Sequence, residues 1–239
     1  MNNSYKDLDT TLKNLSNLKW LPWIGENFFT NSKKLLIVGE SQYANGTSED
    51  EFVADLAVVN HIDFTRNMIQ QTQIQNIYVH KPLNNLLKTL FVNDRVNNGQ
   101  LWENISFYNF IQRPLDYRKN PETGNPERPL VADFDQGWET FVEVVKILEP
   151  TDCIFIGVEA ATSVERMMDK LQIKRGKRQM WPTINNTSPR TIEVFVSKQA
   201  GKVSFIKHSS KFFSPEAWHP FLESQHSDLI KFLLKKAKE

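Results

Sequence analysis

A single cysteine, Cys153, stands among 239 residues. That excludes a disulfide framework and leaves no thiolate set for a zinc or iron–sulfur site. Within the apolar run Cys153-Ile154-Phe155-Ile156 it has the setting of a small core side chain. The chain also lacks an apolar run of transmembrane or signal-peptide length, and its first residues are polar. A soluble, cytoplasmic protein with no membrane contact is therefore expected. Neither sign of charge dominates, because 29 Lys and Arg face 28 Asp and Glu for a formal net charge of +1. No global basic field exists, so any nucleic-acid contact must come from a local patch. Internal repeats and low-complexity segments are missing as well. No metal is expected, because His208, His219 and His226 do not put two imidazoles on one helical face and no carboxylate pair accompanies them. No cofactor is expected either.

What is present suffices for one full core. Hydrophobic residues make up 40% of the chain, which suits a single domain over 1–239, with residues 1–30 as an N-terminal helical extension. Leu8, Leu12, Leu15 and Leu18 recur at helical spacing and predict a packing helix over about 5–18. Leu35 to Val38 predicts a first strand, followed by helical patterns around 65–73 and 83–91. Ile105 to Asn109 predicts a second strand. The connection after it holds Pro114, Pro121, Pro126 and Pro129, which argues for a long irregular loop at the rim of a site.

From Phe134 to Leu148 the apolar spacing is helical again, with Pro150 as the stop before a third strand at 154–157. A helix over about 160–171 leads to the basic run Lys174-Arg175-Gly176-Lys177-Arg178. Apolar runs at 192–196 and 203–206 predict the last strands. A C-terminal amphipathic helix over 222–237 ends in lysines, which favours its dipole. Helices alternating with apolar strands indicate a three-layer α/β/α fold with a mainly parallel central sheet.

The first strand runs directly into Gly39-Glu40-Ser41-Gln42-Tyr43. Ligands of open α/β sheets bind beyond the carboxyl ends of strands, so Glu40 stands where chemistry is expected. Asn109 ends the second strand and His208 follows the last. Three such ends converge on one sheet edge, which would bring an acid, an amide and an imidazole together.

These segments resemble the uracil-DNA glycosylase superfamily. Gly39-Glu40-Ser41 is similar to the Gly-Glu-Ala opening of its iron–sulfur branch, and Asn109-Phe110-Ile111-Gln112-Arg113-Pro114 to that branch's asparagine segment. Arg128-Pro129, Leu148-Glu149-Pro150 and Ile154 to Ala160 resemble later segments, and His208-Ser209-Ser210 resembles the His-Pro-Ser motif. The likeness covers roughly 35–218. Ser41 stands where other branches carry aspartate, Gln42 and Ser209 stand where prolines occur, and the cluster cysteines are missing.

The resemblance implies a monofunctional DNA glycosylase acting in base excision, whether in repair or in defence against phage DNA, with DNA as partner and a monomer as the working unit. It would flip out an aberrant or modified pyrimidine, uracil or a modified cytosine, and hydrolyse its glycosidic bond. Glu40 would orient water, His208 would donate to the departing base, and Asn109 would read its Watson–Crick edge. Gly39, Ser41, Gln42 and Tyr43 would line the base pocket, with Phe52 or Phe64 as the stacking platform. Ser209, Ser210, Lys211, Arg113, Lys174, Arg175, Lys177 and Arg178 would contact DNA, with Phe212 or Phe213 wedging into the emptied stack. Lys207, next to His208, would point to the opposite face if the strand alternation continued, which argues against a lyase step.

Two other classes fit parts of the pattern. One is a serine hydrolase with Ser41 as nucleophile and His208 as base, although Tyr43 occupies the position where such a turn wants glycine. The other is a nucleic-acid-binding module with a decayed site.

Overall fold

A computed structural model describes residues 3–92, 94–118, 120, 123–196 and 201–238. Its first half contains α1 (Asn3–Lys13), β1 (Trp23–Ile24), β2 (Leu35–Gly39), β3 (Gln42–Ala44), α2 (Glu49–Val59), α3 (Phe64–Ile69), α4 (Lys81–Leu90), α5 (Asn98–Trp102), β4 (Ser106–Asn109) and β5 (Pro114–Asp116). Its second half contains α6 (Val131–Leu148), β6 (Asp152–Ile156), α7 (Val164–Lys170), β7 (Lys174–Arg175), β8 (Gln179–Met180), β9 (Arg190–Phe195), β10 (Gly201–Ile206) and α8 (Pro215–Lys236).

The main sheet runs β1-β4-β2-β6-β10-β9-β7, and β8 also pairs with β9. Its centre, β4-β2-β6-β10, is parallel, and the edge pairings are antiparallel. Leu35 to Val38 are all fully buried, as a parallel strand covered on both faces requires. Leu36, Val38, Cys153, Phe155 and Phe205 pack with Leu12, Trp138 and Phe141 on one face. Leu35, Ile37, Ile154, Ile156 and Ile206 pack with Leu86, Trp102 and Trp218 on the other. The fold is mixed α/β, with a mostly parallel sheet flanked by helices. No helix among the described residues is long and apolar enough to cross a membrane.

Register sets the site. Gly39 lies opposite Asn109 on β4 and Ile156 on β6, and Ile156 lies opposite Ile206 on β10. The carboxyl ends of all four central strands therefore finish at one level.

Several boundaries differ from the sequence expectations. The first helix stops at Lys13, and Leu15 and Leu18 follow in successive turns. Asn14, Ser16 and Asn17 disfavour further helix by competing for backbone hydrogen bonds. Residues 1–30 are not a purely helical extension, since they include β1 and the fully buried Leu12 and Trp20. The Trp20 indole donates to the Val59 carbonyl at 2.7 Å, and Arg66 grips Asp9 at 2.6 and 2.8 Å.

Pro114, expected in irregular loop, opens β5, which pairs in parallel with β3 outside the main sheet. Proline is tolerated at the first residue of such a strand because no ladder donor is needed there. Pro121 lies outside the described residues. The helix expected over 160–171 is split into a tight turn at Glu159–Thr162 and α7. The last helix starts earlier than its apolar pattern, at Pro215, where Ser214 accepts from Ala217 N–H at 3.3 Å.

At the opposite end of the sheet, His226 interrupts α8 with non-helical backbone angles. Its Nδ1 meets Asp152 Oδ1 at 2.8 Å and its Nε2 meets Ser204 Oγ at 2.8 Å. Thr151 Oγ1 donates to Asp152 Oδ2 at 2.7 Å. This Ser-His-Asp array is buried, with Ser204 fully so and His226 only 2% exposed, and it fastens the kinked helix to β6 and β10. Burial alone would raise the Asp152 carboxyl, but the hydrogen bonds and charge of His226 and the Thr151 hydroxyl hold it below its ordinary value. The unfolded chain is therefore the first to bind this proton on acidification. The stabilisation is complete above an ordinary aspartate pKa of about 4 and is lost as pH falls through the lower folded value. In urea unfolding at pH 7, Asp152→Asn should cost about 3 kcal/mol. The gap from the parent should narrow as pH falls below about 4, and a gap independent of pH would refute the assignment.

Candidate active site

The carboxyl ends of β2, β4, β6 and β10 border one cavity of about 1340 Å³. Glu40, Asn109 and His208 all line it. The ladder continues one step beyond the strands, with Ile111 N–H donating to Glu40 O at 2.9 Å and Gly157 N–H to Ile206 O at 3.0 Å. This extension holds the first residues past the strands in register.

Two glycines make room for the polar side chains. A Cβ at Gly157 would collide with Glu40 Oε2 and lie 3.3 Å from its carboxyl carbon. Gly157 also has φ +137°, a conformation that L side chains rarely adopt. A Cβ at Gly39 would strike Asn109 Oδ1 and come within 3.0 Å of the Phe107 ring. Glu40 and Asn109 therefore lie directly on neighbouring backbone.

Burial pushes the Glu40 carboxyl up to about 7, with the Arg128 charge pulling it down and Glu159 pushing it up. Asn109 is 3% exposed, and its Nδ2 has no hydrogen-bond partner among the described residues. A buried donor left unpaired beside a cavity is costly unless something entering the cavity satisfies it. His208 opens toward solvent at the mouth, yet the protein around its ring, and then Arg128, hold its imidazole below the ordinary value. His208 Nδ1 bonds Ser210 Oγ at 2.8 Å. The Ser41–His208 pair that a serine hydrolase would need is not made.

Other expected site residues separate clearly. Gly39, Ser41, Gln42, Tyr43, Ser210 and Lys211 line the cavity. Tyr43 OH donates to Glu127 O at 3.2 Å, and its ring meets Tyr117 edge-on at 5.6 Å. Phe52 and Phe64 do not line it. Phe52 lies 3.5 Å beneath the Arg118 guanidinium, and Phe64 packs 6.0 Å from Trp20. Tyr43, Tyr117 and Phe134 are the partly exposed rings that do line the cavity.

Ser209 is fully buried and donates to Pro82 O at 2.8 Å, so it anchors the loop to α4 instead of facing a ligand. Phe213 stacks on Trp218 at 5.7 Å, whereas Phe212 is 80% exposed at φ +58°. Lys207 lines the cavity together with His208 because β10 has ended at Ile206 and strand alternation no longer applies. Its Nζ donates to Asn185 O at 3.2 Å.

The expected DNA-contacting arginines are mostly engaged by carboxylates. Arg113 bridges Asp133 and Glu127, each at 2.7 Å. Arg175 pairs with Asp169 at 2.8 Å and Glu165 at 3.2 Å, and Arg178 pairs with Glu165 at 3.5 Å. Lys174 and Lys177 are exposed near the sheet edge and do not border the cavity.

Arg128 and His80, neither among the expected site residues, also line the cavity. Arg128 projects from the segment that Arg113 braces through Glu127 and Asp133, and it has no ion pair among the described residues. His80 sits at the start of α4. His80 carries no local signal, and Arg128, noted only within the Arg128-Pro129 resemblance, reaches the site because its loop is folded over the strand ends. No group of His, Cys, Asp and Glu among the described residues could hold a metal ion.

No protein-family model matches the chain, and no curated protein matches it.

The Glu40 carboxyl should titrate near 7 by carbon-detected NMR. Arg128→Gln should move this value upward and Glu159→Gln downward, since each removes the charge acting in the other direction. Titration in the ordinary glutamate range would refute the buried placement of this side chain. Gly157→Ala should destabilise the protein by about 1–3 kcal/mol in urea unfolding, through backbone strain and the displaced carboxyl.

Proposed function

We propose that the protein is a monofunctional DNA glycosylase, a divergent member of the uracil-DNA glycosylase superfamily. It would remove an aberrant or modified pyrimidine, uracil or a modified cytosine, and leave an abasic site. The observation that carries this reading is the meeting of Glu40, Asn109 and His208, from the ends of β2, β4 and β10, in one cavity.

Breaking a base–sugar bond leaves positive charge on the sugar and negative charge on the base. Glu40, when ionised, stabilises the sugar cation and orients water on it. The water oxygen bonds to the anomeric carbon, its proton passes toward Glu40, and the carbon–nitrogen pair leaves with the base. A carboxyl poised near 7 suits a base operating at neutral pH. His208 stays neutral and donates to the base oxygen, and the unpaired Asn109 Nδ2 gains an acceptor on the base edge.

The cavity of about 1340 Å³ has room for a substituted base and part of the backbone, being larger than the ~300–1,000 Å³ typical of small-molecule pockets. Exposed Phe212 beside the His208 segment suits a wedge into the stack left by a flipped nucleotide. A lyase step would need the Lys207 amine to attack the sugar, whereas one of its Nζ donors is directed at the Asn185 carbonyl and Glu40 supports direct attack by water.

The test is incubation with oligonucleotides carrying uracil, hypoxanthine, or hydroxymethylated and glucosylated cytosine, followed by alkali to cut abasic sites. Cleavage of at least one pyrimidine substrate is expected, with Glu40→Gln lowering it by about 10³-fold and Asn109→Ala by about 10²-fold. Activity should rise with pH through about 7 as Glu40 ionises. Retained activity in Glu40→Gln, or no cleavage with DNA binding intact, would overturn the reading, the latter in favour of a binding module.

A further inference from the structure

His80 immediately precedes the ten-residue α4 and borders the same cavity as His208. Its Nδ1 accepts the backbone N–H of Leu83 at 3.3 Å, capping the helix. A ring nitrogen that accepts carries no proton, so the neutral ring must carry its proton on Nε2. Burial holds this imidazole down to about 4 against the opposing pull of a hydrogen bond to its own backbone, and the neighbouring His208 acts in the same direction as burial. The N-terminal end of the helix dipole also disfavours a cation there. His80 is thus a neutral donor with a fixed tautomer at any pH near 7. Asn109, which lines the same cavity, carries a second donor, a buried Nδ2 with no hydrogen-bond partner among the described residues. Donors from His80, His208 and Asn109 around one cavity suit a base that presents carbonyl oxygens.

We propose that His80 is a second catalytic electrophile, whose Nε2–H joins His208 in donating to the carbonyl oxygen of a departing oxo-pyrimidine. The assignment rests on the glycosidic reading above. As the carbon–nitrogen bond breaks, its electron pair moves into the base and the resulting charge gathers on that oxygen. Two neutral imidazoles share the charge, and neither gives up its proton. A neutral donor serves here because it stabilises the charge only as it develops, with no reorganisation at the moment of reaction.

The test separates this role from helix capping. Asparagine is a favoured N-cap residue, so His80→Asn retains an acceptor for Leu83 N–H while its shorter side chain draws the amide donors back from the position of the His80 Nε2–H. On oligonucleotides containing uracil, His80→Asn should lower kcat by about 10²-fold with little change in KM. With 5-fluorouracil, a more acidic leaving group that needs less help, the deficit should shrink. Nitrogen NMR of the histidine rings should find His80 as the Nε2–H tautomer throughout pH 5 to 8. Equal losses on both bases would leave only a structural role, and an unchanged kcat or a charged His80 above pH 5 would also overturn the proposal. A wild type that cleaves only cytosine derivatives would overturn the oxo-pyrimidine assignment while leaving the glycosidic reading standing. A wild type that cleaves no pyrimidine substrate would overturn both.

Discussion

Backbone without side chains, at Gly39 and Gly157, is the constraint on which the site depends. Glu40 and Asn109 are both folded back onto neighbouring strands, and each occupies space that a Cβ would take. That arrangement requires β2, β4 and β6 to finish at one level, with Gly39 opposite both Asn109 and Ile156. The level is in turn held by the apolar residues upstream. A slip of one residue would exchange the set Leu36 and Val38, which faces Trp138, with Leu35 and Ile37, which face Trp102. Core packing and site geometry are thus one specification.

Burial then acts on three titratable groups in a single direction, toward neutrality. It raises Glu40 and lowers both His80 and His208. Arg128 divides them, because its positive charge favours the Glu40 carboxylate and disfavours the His208 imidazolium. One guanidinium thereby supports an ionised base and a neutral donor together, the pairing that the proposed glycosidic cleavage would require. Its segment is stiffened by Arg113, held to Glu127 and Asp133 on either side, and by Tyr43 on the Glu127 carbonyl. Arg113 therefore bears on the site through position, without entering the cavity.

The parts of this arrangement visible in sequence are those written in continuous apolar runs. Leu35 to Val38 and Ile154 to Ile156 are covered on both faces, so their strands and the residues ending them were legible. The early stop of α1 was not, because leucine spacing persists through Leu18 while Asn14, Ser16 and Asn17 end the helix. The helix α2 was missed although Ser48 caps it and Glu49, Asp50 and Glu51 fill its first turn, since Val59 is its one fully buried residue among those described. Phe52 and Phe64 failed as cavity rings because proximity to a motif along the chain says nothing about which face a side chain packs on. His80 and the place of Arg128 in the site were hidden for a related reason: each reaches the cavity from a loop or helix start whose position is set by contacts far away in sequence.

Charge pairing limits what the surface can contribute to recognition. Arg66, Arg113, Arg118, Arg166, Arg175 and Arg178 all meet carboxylates, so they offer little to phosphates without breaking an existing pair. Around the cavity mouth stand Arg128, Lys207 and Lys211, with Phe212 exposed beside Lys211. A polyanion held by so few cations gains modest affinity from its backbone, since that part scales with the number of phosphates neutralised. Discrimination must then come from what enters the cavity, where a buried amide donor and two neutral imidazoles wait for acceptors. If the proposed glycosidic function holds, weak backbone binding joined to a demanding pocket would suit a protein that samples many nucleotides and commits only to one whose base can be drawn out and satisfied there.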